Sequence, residues 1–282
     1  MLIGEVIENN SKGKGKQIKK VSYTRIPLRL GFEVFGNGEI SEKKKKEFTK
    51  SIKAFKLISE VFEVKELRAC ATSAMRNAKN GKAIRDYIEK QTGVSIEIID
   101  GKEEADIIFS NFSDRTEKDD FLVIDVGGGS TEISVFQNNS LVASKSFKLG
   151  TIRILQDKVP STEWDTLESW LKKNIDRKEK FDVIGTGGNI NKIHKLLGKK
   201  STEQVKVDEL SDLYKELKSL SLEKRITKFK LKPDRADVII PATKIFLKVC
   251  DELKIKELEV PKIGLSDGII FGLDKKHRSK KK

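Results

Sequence analysis

"FLVIDVGGGSTEISVF" (residues 121–136) places two apolar runs on either side of a polar, glycine-rich break. The flanks read as two buried strands and the break as the turn of a hairpin. Gly127, Gly128 and Gly129 stand in that turn, where glycine admits backbone conformations that aim successive N–H groups at one point and so form an anion nest. Ser130 and Thr131 add hydroxyl donors. Asp125 ends the first strand and Glu132 lies just past the turn, a pair placed to hold Mg²⁺ directly or through water. Carboxylates alone would repel phosphate; beside a cation and a row of amides they complete a site for it. The simpler reading, a tight glycine hairpin with no chemistry, leaves two carboxylates and two hydroxyls at one turn unexplained. A nucleotide P-loop does not fit, because it needs a lysine and a following helix.

A second glycine loop supports the same chemistry. "VIGTGGNINKIHKL" (183–196) runs strand, Gly185 to Gly188, helix, an order that aims a loop and a helix N-terminus at an anion. Two such loops in one lobe point to a polyphosphate chain or to nucleotide phosphates.

Working outward, the chain alternates strands and helices. "LIGEVIE" and "QIKKVSYTRIPLRLG" read as strands joined by a Gly/Lys turn, and "NNSKGKGKQ" (9–17) as the exposed turn itself. A long helix follows from an N-cap at Ser41, with Phe48, Ile52, Phe55 and Phe62 at helical spacing and "KKKK" (43–46) on a solvated face. "ELRACATSA" reads as a strand, "AKNGKAIRDYIEKQTG" as a helix, "VSIEIID" as a strand and "GKEEADIIFSNF" as a helix start. The polar break "SDRTEKDD" (113–120) marks a boundary between lobes at 1–112 and 113–282. The second lobe restarts with "FLVIDV", "EISVFQ" and "LVASKSFKLG", has helices at "STEWDTLESWLKKNI" and after "FDVIGTGG", and is mostly helical beyond, apart from a short strand at "IKELEVPKI". "KIGLSDGIIFGL" (262–273) reads as a tight turn and helix start, and the basic tail as fraying. The expected fold class is α/β, with two lobes facing each other across a cleft.

Bulk properties bound the function. A chain of 282 residues suffices for two domains. No apolar run is long enough to span a bilayer, and the start lacks a signal-peptide pattern. Cys70 and Cys250 lie far apart, which argues against a disulfide scaffold or zinc cluster and predicts a reducing, cytoplasmic setting. The net charge of +14 suggests contact with a polyanion. Nucleic acid is the weaker candidate, because the lysine-rich segments are not interleaved with aromatic residues as a stacking platform requires. With only His194 and His277 in the chain, a carboxylate is the natural general base.

Five ordered segments then resemble the exopolyphosphatase and guanosine pentaphosphate phosphohydrolase family, part of the actin, sugar-kinase and heat-shock ATPase superfamily. They are "ATSAMRNAKN" (71–80), "IIDGKEEADII" (98–108), "DVGGGSTE" (125–132), "GTGG" (185–188) and "KPDRADVIIPA" (232–242). One mismatch, Asp100 where serine is usual, preserves a helix cap. The resemblance implies two ribonuclease H-like, actin-like lobes. It implies Glu104 as the general base that activates water, and Arg76 and Arg235 as grips on phosphate oxygens. Gly127, Gly128, Gly129 and Ser130 would cradle the terminal phosphates, with Asp125 and Glu132 positioning Mg²⁺ or the water and Gly187 and Gly188 lying farther along the cleft. It also implies a homodimer.

Family members begin with a short strand and an Asp-x-Gly-Ser-Asn loop ahead of the strand that "LIGEVIE" resembles. That first phosphate loop has no counterpart in this sequence, and neither has the C-terminal helical domain of longer relatives. The expected function is Mg²⁺-dependent hydrolysis of terminal phosphoanhydride bonds, in inorganic polyphosphate or guanosine pentaphosphate. The alternative is a polyphosphate or nucleotide sensor with an incomplete active site.

Overall fold

The computed structural model of the protein describes residues 1–9, 15–112, 120–138, 140–176 and 181–279. The chain divides into two compact units, Met1–Asp114 together with Gly264–Lys282, and Arg115–Ile263. The sequence-based division carried the second lobe to residue 282. The C-terminal helix, Leu265–Ser279, belongs instead with the first unit. The "SDRTEKDD" break falls largely outside the described residues, as do residues 10–14 of the Gly/Lys turn and residues 280–282 of the tail.

In the first unit, β1 (Leu2–Asn9) pairs antiparallel with β2 (Gly15–Tyr23). The expected strand stops there. Pro27 offers no amide donor, Arg29 turns into the left-handed region at φ 54°, and Leu30–Asn37 forms helix α1, which buries Gly31, Val34 and Phe35. That i, i+3, i+4 spacing is helical, so the apolar run there builds a helix and not a longer strand. Helix α2 (Glu42–Val61) starts where predicted, with Ser41 Oγ accepting from the Lys44 amide at 3.2 Å. The "ELRACATSA" strand shrinks to β3 (Ala69–Ala71), and α3 (Ser73–Asn77) follows at once. Helix α4 (Gly81–Thr92) leads to β4 (Ile96–Ile98), parallel to β3, and then to α5 (Gly101–Phe109). Asp100 caps α5 by accepting from the Glu103 amide at 2.8 Å, so the departure from serine keeps its capping role. The pairs β1–β2 and β3–β4 are separate two-stranded sheets. None of the described side chains of β1 and β2 is fully buried.

The C-terminal helix packs on α5 through Gly268, where a Cβ would lie 1.9 Å from the Ile107 carbonyl oxygen. Asp267 ties the start of the same helix to β2: its carboxylate accepts from the Gly264 amide at 3.1 Å and meets Lys20 Nζ of β2 at 2.7 Å. "KIGLSDGIIFGL" thus starts a helix, as expected, at Leu265.

The second unit is built on a four-stranded sheet. Strand β5 (Phe121–Val126) lies between β6 (Thr131–Gln137), antiparallel to it, and β8 (Asp182–Thr186), parallel to it; β7 (Ser140–Phe147) is the outer neighbour of β6. Strands β5 and β6 are buried almost throughout, whereas β7 alternates exposed and half-buried positions. A strand buried throughout is covered on both faces, and alternation marks a strand with one face left toward solvent. Phe121 and Phe136 stack across the hairpin with ring centroids 4.8 Å apart. Helices α6 (Thr151–Leu155), α7 (Glu163–Asn174), α8 (Gly188–Leu196), α9 (Val207–Ser219), α10 (Leu222–Phe229), α11 (Pro233–Ala236) and α12 (Ile239–Leu253) surround the sheet, with a short β9–β10 pair (Val205–Lys206, Glu257–Leu258). Leu122, Ile124, Ile133, Leu167, Ile245 and Phe246 lie at the centre of its core. Both cysteines are free thiols.

Candidate active site

The glycine turn is a four-residue loop, 127–130, closed by the Val126–Thr131 pair. Its backbone orientation follows from what its carbonyls touch. Gly127 O accepts from the Thr151 amide at 3.0 Å, Gly128 O from the Ile152 amide at 2.8 Å, and Gly129 O from Arg153 Nε at 2.7 Å. Three successive carbonyls are therefore taken up by the first turn of α6. In a planar trans peptide the N–H of the next residue points the opposite way, so the amides of Gly128, Gly129 and Ser130 face away from α6. Among the described residues these three amides and the Ser130 hydroxyl have no hydrogen-bond acceptor. The Gly127 amide differs: it closes the turn on Ser130 O at 2.9 Å. A run of amides aimed off one side of a turn is an anion nest.

The reason for glycine here differs from the sequence expectation. None of Gly127, Gly128 and Gly129 has a positive φ. Packing is close instead: a Cβ on Gly128 would stand 3.0 Å from Ile152 Cδ1 and one on Gly127 3.1 Å from Ser130 O, contacts to which a neighbour must yield, whereas one on Gly150 would stand only 2.3 Å from Gly128 O. Gly150, Thr151 and Arg153, which hold the loop, were not singled out from the sequence; the signal was the "GTIR" that follows β7.

Asp125 and Glu132 are direct partners across β5–β6, so their side chains share one face with Cβ atoms about 5 Å apart. Ser146 Oγ donates to Glu132 Oε1 at 2.8 Å. Burial first, and the Glu132 charge second, push the Asp125 carboxyl up to about 7, against the opposing pull of the Thr186 hydroxyl. Among the described residues no group of three or more His, Cys, Asp or Glu side chains gathers as a metal site. Two carboxylates are nevertheless a fitting donor set for Mg²⁺, which keeps several waters and takes its remaining ligands from substrate phosphates. The Glu132 charge raises the cost of ionising Asp125, and a cation between them would relieve it.

The second glycine loop packs against this pair. Gly187 has φ 96°, and a Cβ on it would lie 2.7 Å from Asp125 Oδ1. A Cβ on Gly188 would lie 2.4 Å from Arg235 Nη2. Both glycines let a charged side chain reach the backbone at the start of α8. Arg235 is fixed there by Asn189, whose Oδ1 accepts from Nη1 at 2.9 Å. Within the second unit the structure thus gathers Asp125, Glu132, Gly187, Gly188 and Arg235, with the loop 127–130 continuing from β5.

Arg76 and Glu104 come together in the first unit. Arg76, in the last turn of α3, lies 3.6 Å from Glu104 Oε2 and donates to the Ile99 carbonyl. Glu104 is buried in the first turn of α5. Its neighbour Glu103 has a different fate: it is exposed and held at 2.8 Å by Arg68, which also pairs with Glu97 at 2.7 Å. Two adjacent glutamates are therefore sorted, one into a surface ion pair and one against an arginine in a sheltered position.

A sequence profile of the Ppx/GppA phosphatase family matches residues 6–277. A bifunctional 3-dehydroquinate synthase/phosphatase of Fusobacterium nucleatum is 29% identical over 89% of this chain and 41% of its own length. Exopolyphosphatase 1 of Mycobacterium tuberculosis is 28% identical over 52% of this chain and 43% of its own. A guanosine-5'-triphosphate,3'-diphosphate pyrophosphatase of Photobacterium profundum is 20% identical over 93% of this chain and 55% of its own. The chain spans about half the length of these curated relatives, or less. Among solved structures, an exopolyphosphatase from Cytophaga hutchinsonii superposes with a TM-score of 0.77 at 20% identity, covering 96% of this chain and 93% of that one. The Ppx/GppA family member of Aquifex aeolicus gives 0.72 at 22% identity, covering 93% and 91%. These two share its fold, and the profile match settles its kinship: the chain belongs to the Ppx/GppA phosphatase family.

Proposed function

We propose that the protein hydrolyses the terminal phosphoanhydride bond of a condensed phosphate in the presence of Mg²⁺, with inorganic polyphosphate as the first substrate and guanosine pentaphosphate as the second. The observation that carries this reading is the loop 127–130, whose carbonyls are engaged by α6 and whose amides are thereby presented together. The names of the mycobacterial and Photobacterium relatives supply the two substrate classes.

The roles follow from the chemistry of each group. The amides of Gly128, Gly129 and Ser130 and the Arg235 guanidinium hold phosphate oxygens, where charge accumulates as the bond breaks. Asp125 and Glu132 would hold Mg²⁺, which when bound neutralises that charge. Glu104 accepts a proton from water as the water oxygen attacks the terminal phosphorus; the bridging P–O bond breaks, and the shortened chain leaves with its electron pair. Arg76, 3.6 Å from Glu104 Oε2, would grip phosphate oxygens beside that base.

The test is phosphate release from tripolyphosphate and long-chain polyphosphate with and without Mg²⁺. Glu104→Gln is expected to lower kcat by about 10²- to 10⁴-fold, the usual contribution of a general base, with binding retained. Wild-type turnover in that variant rules out Glu104 as the base.

One observation favours a second reading. In the second unit β5 pairs with both an antiparallel and a parallel neighbour, and the phosphate loop follows it. Among the described residues of the first unit no strand links β1–β2 to β3–β4. A phosphate-binding protein without turnover would then be the function, shown by Mg²⁺-dependent polyphosphate binding with no phosphate released.

A further inference from the structure

Helix α2 carries more positive charge than its own stability favours. One side of the helix is buried through Phe48, Thr49, Ser51, Ile52 and Ser59. On another, Lys43, Lys46, Lys50 and Lys53 are all exposed. At 100° per residue these four lie within an arc of about 80°, and they span about 15 Å along the axis. Among the described residues none of the four has an ion pair or hydrogen bond, although Lys44 pairs with Glu47 at 2.7 Å and Lys45 with Glu42 at 2.6 Å. Their spacings of three and four residues set like charges side by side, which destabilises a helix. Lys43 also stands in the first turn of α2, where the helix dipole disfavours cations. The positive field registers on Glu47: its carboxyl is held below the usual range by the Lys44 hydrogen bond first, and further by the charges of Lys44, Lys43 and Lys50. The row ends cleanly, since the next residues on that side are apolar, Leu57 at 61% and Val61 at 82% exposure.

We propose that this row is an exosite for a linear condensed polyphosphate chain. The inference rests on the function proposed above and extends it to how a long substrate is held. Charge complementarity selects the occupant. A straight row of lysines supplies flexible point charges without preferred geometry, which suits a featureless linear polyanion. Base recognition would call for arginine forks or aromatic faces, and the row has neither.

The test replaces Lys43, Lys46, Lys50 and Lys53 together with glutamine. Fluorescently end-labelled long-chain polyphosphate is titrated by anisotropy at several salt concentrations, and phosphate release is followed from long-chain polyphosphate and from tripolyphosphate. The expected variant binds the long chain about ten-fold more weakly or worse, with a shallower salt dependence because fewer counterions are released. Its KM for the long chain rises in step, its kcat stays level, its tripolyphosphate kinetics are unchanged, and its Tm is equal or higher as the repulsion is relieved. Equal losses on both chain lengths, no loss on either, or a wild type that does not bind long-chain polyphosphate would overturn the exosite. Duplex DNA or RNA bound by the wild type as tightly as polyphosphate, and released in the variant, would reassign the row to nucleic acid. A wild type that binds the long chain through these lysines but releases no phosphate leaves the exosite standing and removes the hydrolase reading instead.

Discussion

Asp125 concentrates the site's electrostatics in one residue. It faces Glu132 across the hairpin and the backbone of Gly187 on its other side, and burial with the neighbouring charge lifts its carboxyl up to about 7. With its folded-state pKa above the unfolded value, the folded chain binds more protons than the unfolded chain between the ordinary aspartate range and about 7. Stability in the absence of a divalent cation therefore falls as pH rises through that window. Asp125→Asn is expected to flatten this part of the Tm-against-pH curve measured in EDTA. If Asp125 holds Mg²⁺ as proposed, the cation must displace the proton, and its affinity for the wild type should rise with pH up to about 7 and then level off. A wild-type curve matching that of the asparagine variant would show that Asp125 ionises freely. The sequence put Asp125 and Glu132 at one turn, because strand register follows from the hairpin alone. It left Glu103 and Glu104 to be distinguished by resemblance, since the Arg68 that captures Glu103 comes from 35 positions earlier in the chain.

At the scale of elements, the loop and α6 act as one device. The first turn of α6 engages three loop carbonyls, and Gly150 is the point of closest approach, with its missing Cβ 2.3 Å from Gly128 O. The contact is backbone on backbone and cannot give way as a side-chain tip would. Gly150→Ala should cost about 1–3 kcal/mol in urea unfolding, as overpacking does, and should weaken tripolyphosphate binding by calorimetry. Gly128→Ala meets only the end of Ile152, at 3.0 Å, and should be milder in both measurements. If the order is reversed, α6 does not set the loop. This partnership was hidden in the sequence because α6 returns to the loop only after β6 and β7, and nothing local announces the meeting. The helix at Leu30–Asn37 was hidden for a different reason: its apolar residues continue an apolar run, so the change from strand to helix spacing is short. Caps were easier to read. Ser41 and Asp100 act within three residues of themselves, and both start their helices where expected.

For the molecule as a whole, the sequence exposed the α/β order and the parts of the site that lie in contiguous motifs. It misassigned the C-terminal helix, because that helix joins the first unit through Gly268 and Asp267, contacts more than 150 residues apart in the chain. The net charge of +14 takes on a local meaning in the lysine row of α2. No described helix is long and apolar enough to cross a membrane. The hydrolase reading and the proposed cation depend on the loop 127–130 presenting its amides to phosphate, whereas the exosite on α2 is tested separately. The direct measurement is amide NMR of the ¹⁵N-labelled protein titrated with tripolyphosphate and Mg²⁺. The amides of Gly128, Gly129 and Ser130 should shift together and saturate at one ligand concentration, with Gly127, already bonded to Ser130 O, moving less. Saturable shifts elsewhere in the chain while those three stay fixed would contradict the account.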